Sequence, residues 1–332
     1  MRSLADSKTS ELSSGVALSG ATPTYNRAAY FTVMFTPLRA GDTVAIVSPA
    51  SPLSPEAVEF MTQLLEGEGY RVVLGPNVFK QDHYLAGSDA ERAQDLMWAF
   101  SDASIQGIVC SRGGYGCARL FPHLDLDQMA ASGKLFAGFS DVTTLHLALN
   151  RRGLTTLHSP MALTLKTPRD SWVYESFKSA LRGDFTIPGG APTATCAVEG
   201  QGTGTLTGGC LCLLTDSIGT PDQIQFDGKI VLIEDVDETP HRVDAMLTHL
   251  LNAGLIQQAA GIVIGEMTRT DETIDAGIGG RPWREIVLER LGGLGIPMVI
   301  DFPFGHAKQM RTLPLGQLAR LNASAGSLEI LS

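Results

Sequence analysis

KLFAGFSDVTTLHLALNRRG, residues 134–153, joins a short apolar run to a segment whose apolar residues recur at close to helical spacing. The run ends at Gly138, and Ser140 and Asp141 stand where a buried strand turns into a helix. Serine and aspartate are common N-caps, so capping alone would explain them. The same pattern suits a nucleophile on a tight turn, with a helix N-terminus beside it to stabilise negative charge. This stretch by itself leaves both interpretations open.

Strand and helix signals alternate along the first half of the chain. Pro55 begins an amphipathic helical pattern, and Ser88 with Glu91 has the spacing of a capping box. This alternation predicts an α/β fold in which helices cover both faces of a parallel sheet. Apolar runs predict its strands at 44–47, 70–75, 106–110 and 154–158.

The glycine-rich segment SRGGYG, 111–116, also follows a predicted strand. Ligands of parallel sheets bind at the carboxyl ends of the strands, which favours a functional role for this turn and for Ser140. Its glycines permit positive φ and close backbone approach, so the turn could hold a phosphate or point amides at an oxyanion. A tight turn without further function explains them equally well, and the segment is neither a Walker loop nor GxGxxG.

The chain divides into four predicted parts. Residues 1–39 are rich in Ser, Thr, Ala and Gly, lack a continuous apolar segment, and are predicted to form a disordered extension rather than a signal peptide. An N-terminal α/β domain with Ser140 covers 40–165, and a Pro-, Gly- and Thr-rich linker with irregular edge strands covers 166–204. A smaller C-terminal α/β domain covers 205–332. No stretch reaches the roughly 18 to 20 apolar residues that a membrane span requires.

Composition narrows the possible partners. The 332 residues are 44% hydrophobic and 18% charged, and the formal net charge is -10. With no basic run, this argues against nucleic acid as a partner, although an acidic small substrate is compatible with it. The cysteines are odd in number and irregularly spaced, with no CxxC pair, which disfavours a disulfide framework or a structural zinc site and favours a reducing compartment. They are Cys110, Cys117, Cys196, Cys210 and Cys212.

Two further strand ends carry residues able to do chemistry. Glu234 follows the apolar run IVLI directly, and Asp235, the first of several further acids, follows it. Such a cluster can bind a metal, cap a helix or face water. His306, in FPFGH, lies just past another strand. A nucleophile, an orienting acid and a base would be supplied by Ser140, Glu234 and His306, respectively. Spacing alone is weak evidence for such a set.

Several segments in order resemble the serine LD-carboxypeptidase family, which also includes the microcin C self-immunity peptidases. The resemblance extends from about Ala40 to the C-terminus and implies a serine peptidase in which Ser140 is the nucleophile. It implies that His306 is the general base, that Glu234 orients it, and that the backbone N–H groups of Gly114 and Asp141 form the oxyanion hole. The matching segments are SRGGYGCARL, GFSDVTTLHLAL, GGCLCLL, IVLIEDVDETPHRVDAML and FPFGH.

The resemblance also implies a substrate and a setting. The substrate is murein tetrapeptide, L-Ala-γ-D-Glu-meso-diaminopimelate-D-Ala, which loses its terminal D-Ala through an acyl-enzyme during cell-wall recycling. The family implies a cytoplasmic homodimer that needs no metal or cofactor. Arg112 is a candidate for contact with a substrate carboxylate or with the domain interface, and Tyr115 is a further candidate for substrate contact.

Three positions depart from the family pattern, and other functions compete with this one. Cys210 stands where Asn is common, His241 where Tyr is frequent, and Ser159 where Gly is frequent. The nearest rival is an immunity-type peptidase that cleaves an aminoacyl-adenylate-like amide. It needs an aromatic platform for adenine, and Trp283 is the only Trp in the second domain. A periplasmic-type binding protein would need an export signal, and none is apparent in this sequence. For Cys117, a buried apolar role is a better prediction than that of a thiol nucleophile.

Overall fold

Two sheets organise the protein. The computed structural model describes residues 34–275, 277 and 279–331. The strands in this part of the chain are β1 (Thr43–Val47), β2 (Arg71–Leu74), β3 (Gly107–Cys110), β4 (Leu135–Gly138), β5 (Thr156–His158), β6 (Thr195–Val198), β7 (Gln201–Cys210), β8 (Ile230–Val236), β9 (Gly261–Thr268), β10 (Met298–Ile300), β11 (Leu313–Leu315), β12 (Leu318–Asn322) and β13 (Ser327–Ile330). The helices are α1 (Pro55–Gly67), α2 (Asp89–Ser101), α3 (Leu126–Ala131), α4 (Thr143–Arg151), α5 (Ala162–Lys166), α6 (Ser171–Leu181), α7 (Leu211–Asp216), α8 (Pro240–Asn252) and α9 (Trp283–Leu291).

The first sheet has the strand order β11-β5-β4-β3-β1-β2. Strands β1 to β5 are parallel, and only β11 runs antiparallel, beside β5. Central strands β1, β3 and β4 are buried along their whole length, as expected for parallel strands that are covered on both faces. The carboxyl ends of the neighbouring strands β3 and β4 lead into SRGGYG and Ser140, so both segments lie at one edge of the sheet. The predicted α/β fold is confirmed.

The second sheet has the order β13-β12-β7-β8-β9-β10-β6. Its centre, β7 to β10, is parallel, while β12, β13 and β6 add antiparallel strands at the two edges. Strand β8 carries the run IVLIE, and all five of these residues are buried. The acid at its end, Glu234, is therefore placed inside the protein rather than at its surface.

The chain crosses between the sheets more than once. Strand β11 comes from the C-terminal part of the chain, yet it pairs with β5 of the first sheet. The predicted linker, 166–204, contains α6, whose Trp172 and Phe177 are buried, and β6, which forms an edge of the second sheet. This segment is therefore folded structure that contributes to both halves. The division into domains at 165 and 205 stays a prediction.

Folded structure begins within the segment 1–39 that the sequence predicted to be a disordered extension. Residues 1–33 lie outside the described residues, but Phe35 and Leu38 are buried in the core around the first sheet. The Leu38 N–H donates to the carbonyl of Leu181 at 2.9 Å, which ties this segment to the end of α6. Apolar burial and this backbone bond fix the segment in place, so the boundary at residue 39 was too late.

Local sequence signals explain where the helices near the site begin. Pro55 occupies the first turn of α1, where its missing N–H is not needed. Helix α2 starts with a complete capping box between Ser88 and Glu91, as the sequence predicted. Among the described residues, no helix combines the length and apolar character that crossing a membrane would demand.

Candidate active site

Ser140 sits on a tight turn between β4 and α4. A single 3-10 turn, Ser140–Val142, joins the strand to the helix, and the Ser140 backbone has a φ of 63°. A non-glycine residue in this left-handed region costs on the order of 1–3 kcal/mol, so the surrounding fold must hold it there. The Ser140 side chain makes no capping bond at this helix start. The N-cap interpretation of Ser140 is therefore wrong.

A buried carboxylate anchors the turn. The Asp141 side chain is almost fully buried, and its Oδ2 accepts the backbone N–H of Cys117 at 2.8 Å. Burial raises the pKa of the Asp141 carboxyl above its usual value. Since Cys117 follows SRGGYG directly, this bond connects the turn of Ser140 to the glycine-rich turn on the neighbouring strand. Cys117 itself is fully buried, which agrees with the apolar role predicted for it.

A continuous chain of hydrogen bonds links Ser140, His306 and Glu234. The Ser140 Oγ lies 3.0 Å from His306 Nε2, and His306 Nδ1 lies 2.7 Å from Glu234 Oε2. The same Glu234 oxygen also accepts the backbone N–H of His306 at 3.1 Å. An ionised carboxylate only accepts, so Nδ1 carries the proton and Nε2 of the neutral ring is left to accept from the serine hydroxyl. This is the arrangement in which an imidazole can take a serine proton.

The electrostatics of Glu234 and His306 favour the charged forms of both groups. Burial would raise the pKa of Glu234, but the adjacent His306 outweighs burial and lowers it to about 2. Burial would lower the pKa of His306, but the Glu234 carboxylate outweighs it and raises the pKa above its usual value. Glu234 is thus ionised at neutral pH and stabilises the imidazolium that forms when His306 accepts a proton.

Close packing fixes the orientation of the His306 ring. The ring lies against Phe139, with centroids 4.8 Å apart. Phe139 also contacts His158 edge to face, and His158 is fully buried, with a pKa that burial lowers to about 4. Gly305 has a φ of 87°, and a Cβ there would lie 2.4 Å from Glu234 Cγ. Only glycine lets the backbone before His306 approach the carboxylate this closely.

The glycine-rich turn packs directly against Ser140. A Cβ at Gly113 would lie 2.6 Å from Ser140 Cβ and 3.2 Å from the backbone nitrogen of Asp141. Gly114 has a φ of 118°, and a Cβ there would collide with the Ser51 hydroxyl at 2.2 Å. Within the residues that the structure describes, the Gly114 N–H donates to no protein acceptor. The turn thus brings backbone donors beside Ser140, as an oxyanion site requires.

Arg112 and Tyr115 flank the two glycines. Arg112 is half-buried, and its guanidinium donates to the carbonyls of Gly113 at 3.1 Å and Pro52 at 3.3 Å. In the described part of the chain it forms no ion pair with a carboxylate, and burial lowers its pKa. Tyr115 is 51% exposed, and its ring lies 5.9 Å from that of Tyr84. Arg112 therefore holds the turn, while Tyr115 presents an aromatic surface to solvent.

The second sheet reaches the turn that carries Ser140 through the GGC segment of β7. A Cβ at Gly209 would lie 2.4 Å from Thr143 Oγ1, so glycine permits β7 to approach the start of α4. The next residue, Cys210, donates its thiol to Glu234 Oε1 at 3.2 Å. Cys210 was noted in the sequence only as a departure from the family pattern, and its contact with Glu234 was missed. No local signal pairs these two residues, because only the parallel register of β7 and β8 sets Cys210 opposite Glu234.

The other two departures from the family pattern, at positions 159 and 241, differ in their burial. Ser159 is fully buried, and its N–H donates to the carbonyl of Gly138 at the end of β4. His241 is exposed at the start of α8, with its Nε2 at 3.2 Å from the Thr239 hydroxyl. Gly305 and Ser51 also shape the site without having been singled out. A glycine that permits close approach to a distant residue has no local sequence signal.

Comparison with known proteins identifies the chain's relatives. Residues 44–159 match the N-terminal domain of LD-carboxypeptidases, and residues 203–321 match their C-terminal domain. The chain is 36% identical to a putative carboxypeptidase of Streptomyces coelicolor, over 88% of this chain and 94% of the relative. It is 32% identical to the murein tetrapeptide carboxypeptidase of Pseudomonas aeruginosa, over 85% of this chain and 93% of the relative.

Solved structures show the same architecture. The muramoyltetrapeptide carboxypeptidase from Oxalobacter formigenes aligns with a TM-score of 0.74 and 28% identity, over 87% of this chain and 97% of that one. The microcin C7 self-immunity protein in complex with aspartyl sulfamoyl adenosine aligns with a TM-score of 0.78 and 25% identity, over 90% and 98%.

Proposed function

The chain belongs to the LD-carboxypeptidase family and is a serine carboxypeptidase, and we propose that it releases the terminal D-Ala from murein tetrapeptide. The observation that carries the proposal is the row of hydrogen bonds from Ser140 through His306 to Glu234. The similarity to the murein tetrapeptide carboxypeptidase of Pseudomonas aeruginosa supports the substrate. The family resemblance favours the bond between the L-centre of diaminopimelate and D-Ala.

Acylation begins at Ser140. As its Oγ attacks the scissile carbonyl, the proton moves to His306 Nε2, which lies within hydrogen-bond reach at 3.0 Å. Glu234 keeps the Nδ1 proton in place and stabilises the imidazolium. His306 then donates this proton to the leaving nitrogen, and D-Ala is released with a free amino group.

The developing oxyanion needs donors beside Ser140. The N–H groups of Gly114 and Asp141 are the proposed pair, and the unpaired Gly114 N–H supports this assignment. Loss of one such donor typically reduces the rate by about 10²–10³-fold. In deacylation, His306 accepts a proton from water, the resulting hydroxide attacks the acyl group, and Ser140 recovers its proton. The tripeptide product is released.

Substrate contacts are assigned to Arg112 and Tyr115. Arg112 already uses part of its guanidinium to hold the turn, and its remaining N–H groups have no carboxylate partner among the described residues. A tetrapeptide presents a terminal carboxylate, which the unpaired charge of Arg112 would attract. Tyr115 is exposed next to Gly114 and offers a surface for the peptide. We further propose that the enzyme acts in the cytoplasm in cell-wall recycling, as a homodimer.

The test is release of D-alanine by the purified protein incubated with murein tetrapeptide, with Ser140→Ala run in parallel. Release by the wild type alone would support both the substrate and the nucleophile. Equal release by the two proteins would refute the role of Ser140. If neither protein releases D-alanine while both are folded, murein tetrapeptide is not the substrate. Size-exclusion chromatography with light scattering tests the homodimer.

An aminoacyl-adenylate-like amide is less well supported as a substrate. Such a substrate needs an aromatic platform for adenine, and Trp283, the only Trp in the predicted second domain, is 2% exposed and belongs to the core of the second sheet. The guanidinium of Arg284 lies 4.3 Å from its ring centroid. Trp283 is thus not free to stack on a base. Incubation with an aminoacyl sulfamoyl adenosine, followed by detection of the free amino acid, distinguishes the two substrates.

A further inference from the structure

Two thiols and a carboxylate meet beside Glu234. The Sγ atoms of Cys210 and Cys212 and a carboxylate oxygen of Asp235 all lie within 4.8 Å of one another. Cys210 ends β7, Cys212 lies in the first turn of α7, and Asp235 lies in the neighbouring strand β8. No step of the proposed peptidase mechanism uses Cys212 or Asp235, so this cluster is unassigned.

We propose that Cys210, Cys212 and Asp235 bind a thiophilic divalent cation, Zn²⁺ or Cd²⁺, and that occupancy of this site inhibits the peptidase. Two thiolates and a carboxylate, with one open position, form a ligand set suited to tetrahedral zinc. Thiolate ligands select such ions over Mg²⁺ and Ca²⁺, which prefer oxygen.

Existing hydrogen bonds already orient Asp235 beside Cys212. The Cys212 N–H donates to Asp235 Oδ2 at 2.8 Å, and the Val236 N–H donates to Asp235 Oδ1 at 2.8 Å. The Cys212 thiol also lies 3.7 Å from Asp235 Oδ1. These backbone bonds fix the carboxylate against the thiols, which reduces the ordering that a metal must impose on its ligands.

The charge balance favours an ion in this buried place. Asp235 is 2% exposed, and in the described part of the chain no Lys or Arg pairs with it. Zn²⁺ would displace one proton from each thiol to solvent, so a dication enters as two protons leave and the net charge is unchanged. Cys212 is only partly buried, which gives the ion a route to the ligands.

A metal site fits these thiols better than a redox pair does. Cys210 is buried and its thiol donates to Glu234 Oε1, so an oxidant has little access to its sulfur. Reactive cysteines lie in exposed, electropositive surroundings, which Glu234 and Asp235 do not provide. A bound dication deprotonates its thiol ligands directly.

Inhibition follows from the contact between Cys210 and Glu234. The thiol donates to Glu234 Oε1, while Oε2 of the same carboxylate holds His306. Metal binding removes that thiol proton and sets a dication next to Glu234. The carboxylate is then attracted to the metal and away from His306, so the base loses its orienting partner.

The experiment measures cation binding to the reduced full-length protein without relying on peptidase activity. Cd²⁺ is titrated into the wild type, Cys212→Ala and the matched control Cys196→Ala, and the ultraviolet thiolate-to-cadmium charge-transfer absorption is followed. Zn²⁺ affinity is measured by competition with a chelator. Cys196 is an exposed free cysteine on β6 and belongs to no donor cluster among the described residues.

We expect one ion per chain in the wild type and in Cys196→Ala. Loss of an outer partner of a metal site costs about 10–100-fold in affinity, so loss of a direct ligand in Cys212→Ala should cost at least about 100-fold. Unchanged affinity in Cys212→Ala would overturn the proposal, because the ion would then use other donors such as Cys210, Glu234 and His306. Absence of the absorption from wild type would overturn it as well.

A second readout tests the effect on catalysis. Zn²⁺ should inhibit D-alanine release by the wild type and by Cys196→Ala, and a chelator should restore it. Cys212→Ala should keep its activity at zinc concentrations that inhibit the wild type. Equal inhibition of all three proteins would refute the link between this site and inhibition. If the chain does not cleave murein tetrapeptide, the binding measurements still decide whether the metal site exists.

Discussion

Replacing Gly305 by alanine tests whether the approach of the backbone to Glu234 sets the catalytic geometry. The new Cβ would lie 2.4 Å from both Cγ and Oε2 of Glu234. Carbon atoms pack at about 3.5–4.0 Å, so a shift of at least about 1 Å is required. Glu234 is fully buried, so it cannot swing out into solvent without disturbing its neighbours. Either the carboxylate or the His306 backbone must move.

The expected result is a large loss of activity without change to any proposed catalytic residue. A displacement of about 1 Å in a catalytic group can cost about 10²-fold, and we expect kcat/KM to fall at least that far. The φ of 87° adds strain of about 1–2 kcal/mol for a residue with a Cβ, and overpacking adds a further 1–3 kcal/mol or so. D-alanine release gives the kinetics, and urea unfolding gives the free energy of unfolding.

Gly295→Ala is the matched control. Gly295 also has a positive φ, 69°, but a Cβ there would meet no atom within 4 Å. It should lose about 1–2 kcal/mol of stability from backbone strain and keep its activity. If Gly305→Ala is folded and its kcat/KM stays within a few-fold of wild type, the argument from Glu234 displacement is refuted. An equal activity loss in Gly295→Ala would show that strain, not the contact with Glu234, is responsible.

The remaining predictions concern the Glu234–His306 pair, the turn that carries Ser140, and Arg112. Because Glu234 raises the pKa of His306, the wild-type kcat/KM should fall with decreasing pH through a value above 6.5. Glu234→Gln removes the main cause of this rise while burial still lowers the pKa, so the acid limb of the pH–rate profile should move to lower pH. An unmoved limb would contradict this. Glu234→Gln should also lose less activity than His306→Ala in the same assay, since it keeps the general base. Ser140→Ala should lose activity by several orders of magnitude, up to about 10⁶-fold, as when other triads are disrupted. Ser140→Gly should be equally inactive but more stable to urea than Ser140→Ala by about 1 kcal/mol, because glycine relieves the strain at a φ of 63°; equal stability would mean that the turn is not strained. Arg112→Ala should raise KM for murein tetrapeptide more than for a substrate with an amidated C-terminus, and an equal rise for both would remove the proposed carboxylate contact.

Local patterns predicted the elements well because their causes are local. The capping box of Ser88 and Glu91, the proline at the start of α1 and the apolar runs of β1, β3 and β4 depend on residues close in sequence. The start of folded structure was misjudged because Phe35 and Leu38 are held by distant residues of the core. Helix α6 was missed within the predicted linker, since the surrounding Pro- and Gly-rich composition hid an eleven-residue amphipathic segment.

At the site, too, contacts between residues that are distant in sequence were not predictable. Irregular cysteine spacing did not point to the proposed cation site, because Asp235 comes close to Cys210 and Cys212 only through the pairing of β7 with β8. The glycines at 113 and 305 each face a residue from another part of the chain. A glycine required by such an approach looks in sequence like any other turn glycine.

The sequence by itself determined the α/β class, the strand ends that carry Ser140, Glu234 and His306, and, through resemblance, the family. Apolar periodicity and helix caps depend on residues a few positions apart, so they can be recognised in the sequence. A polar residue that follows an apolar run can be recognised in the same way. Only the tertiary structure decided that Ser140 contacts His306 instead of capping a helix, and that Cys210 contacts Glu234. Residues 140 and 306 are separated by 166 positions, and a hydrogen bond at that separation exists only once packing of the two sheets has fixed both backbones.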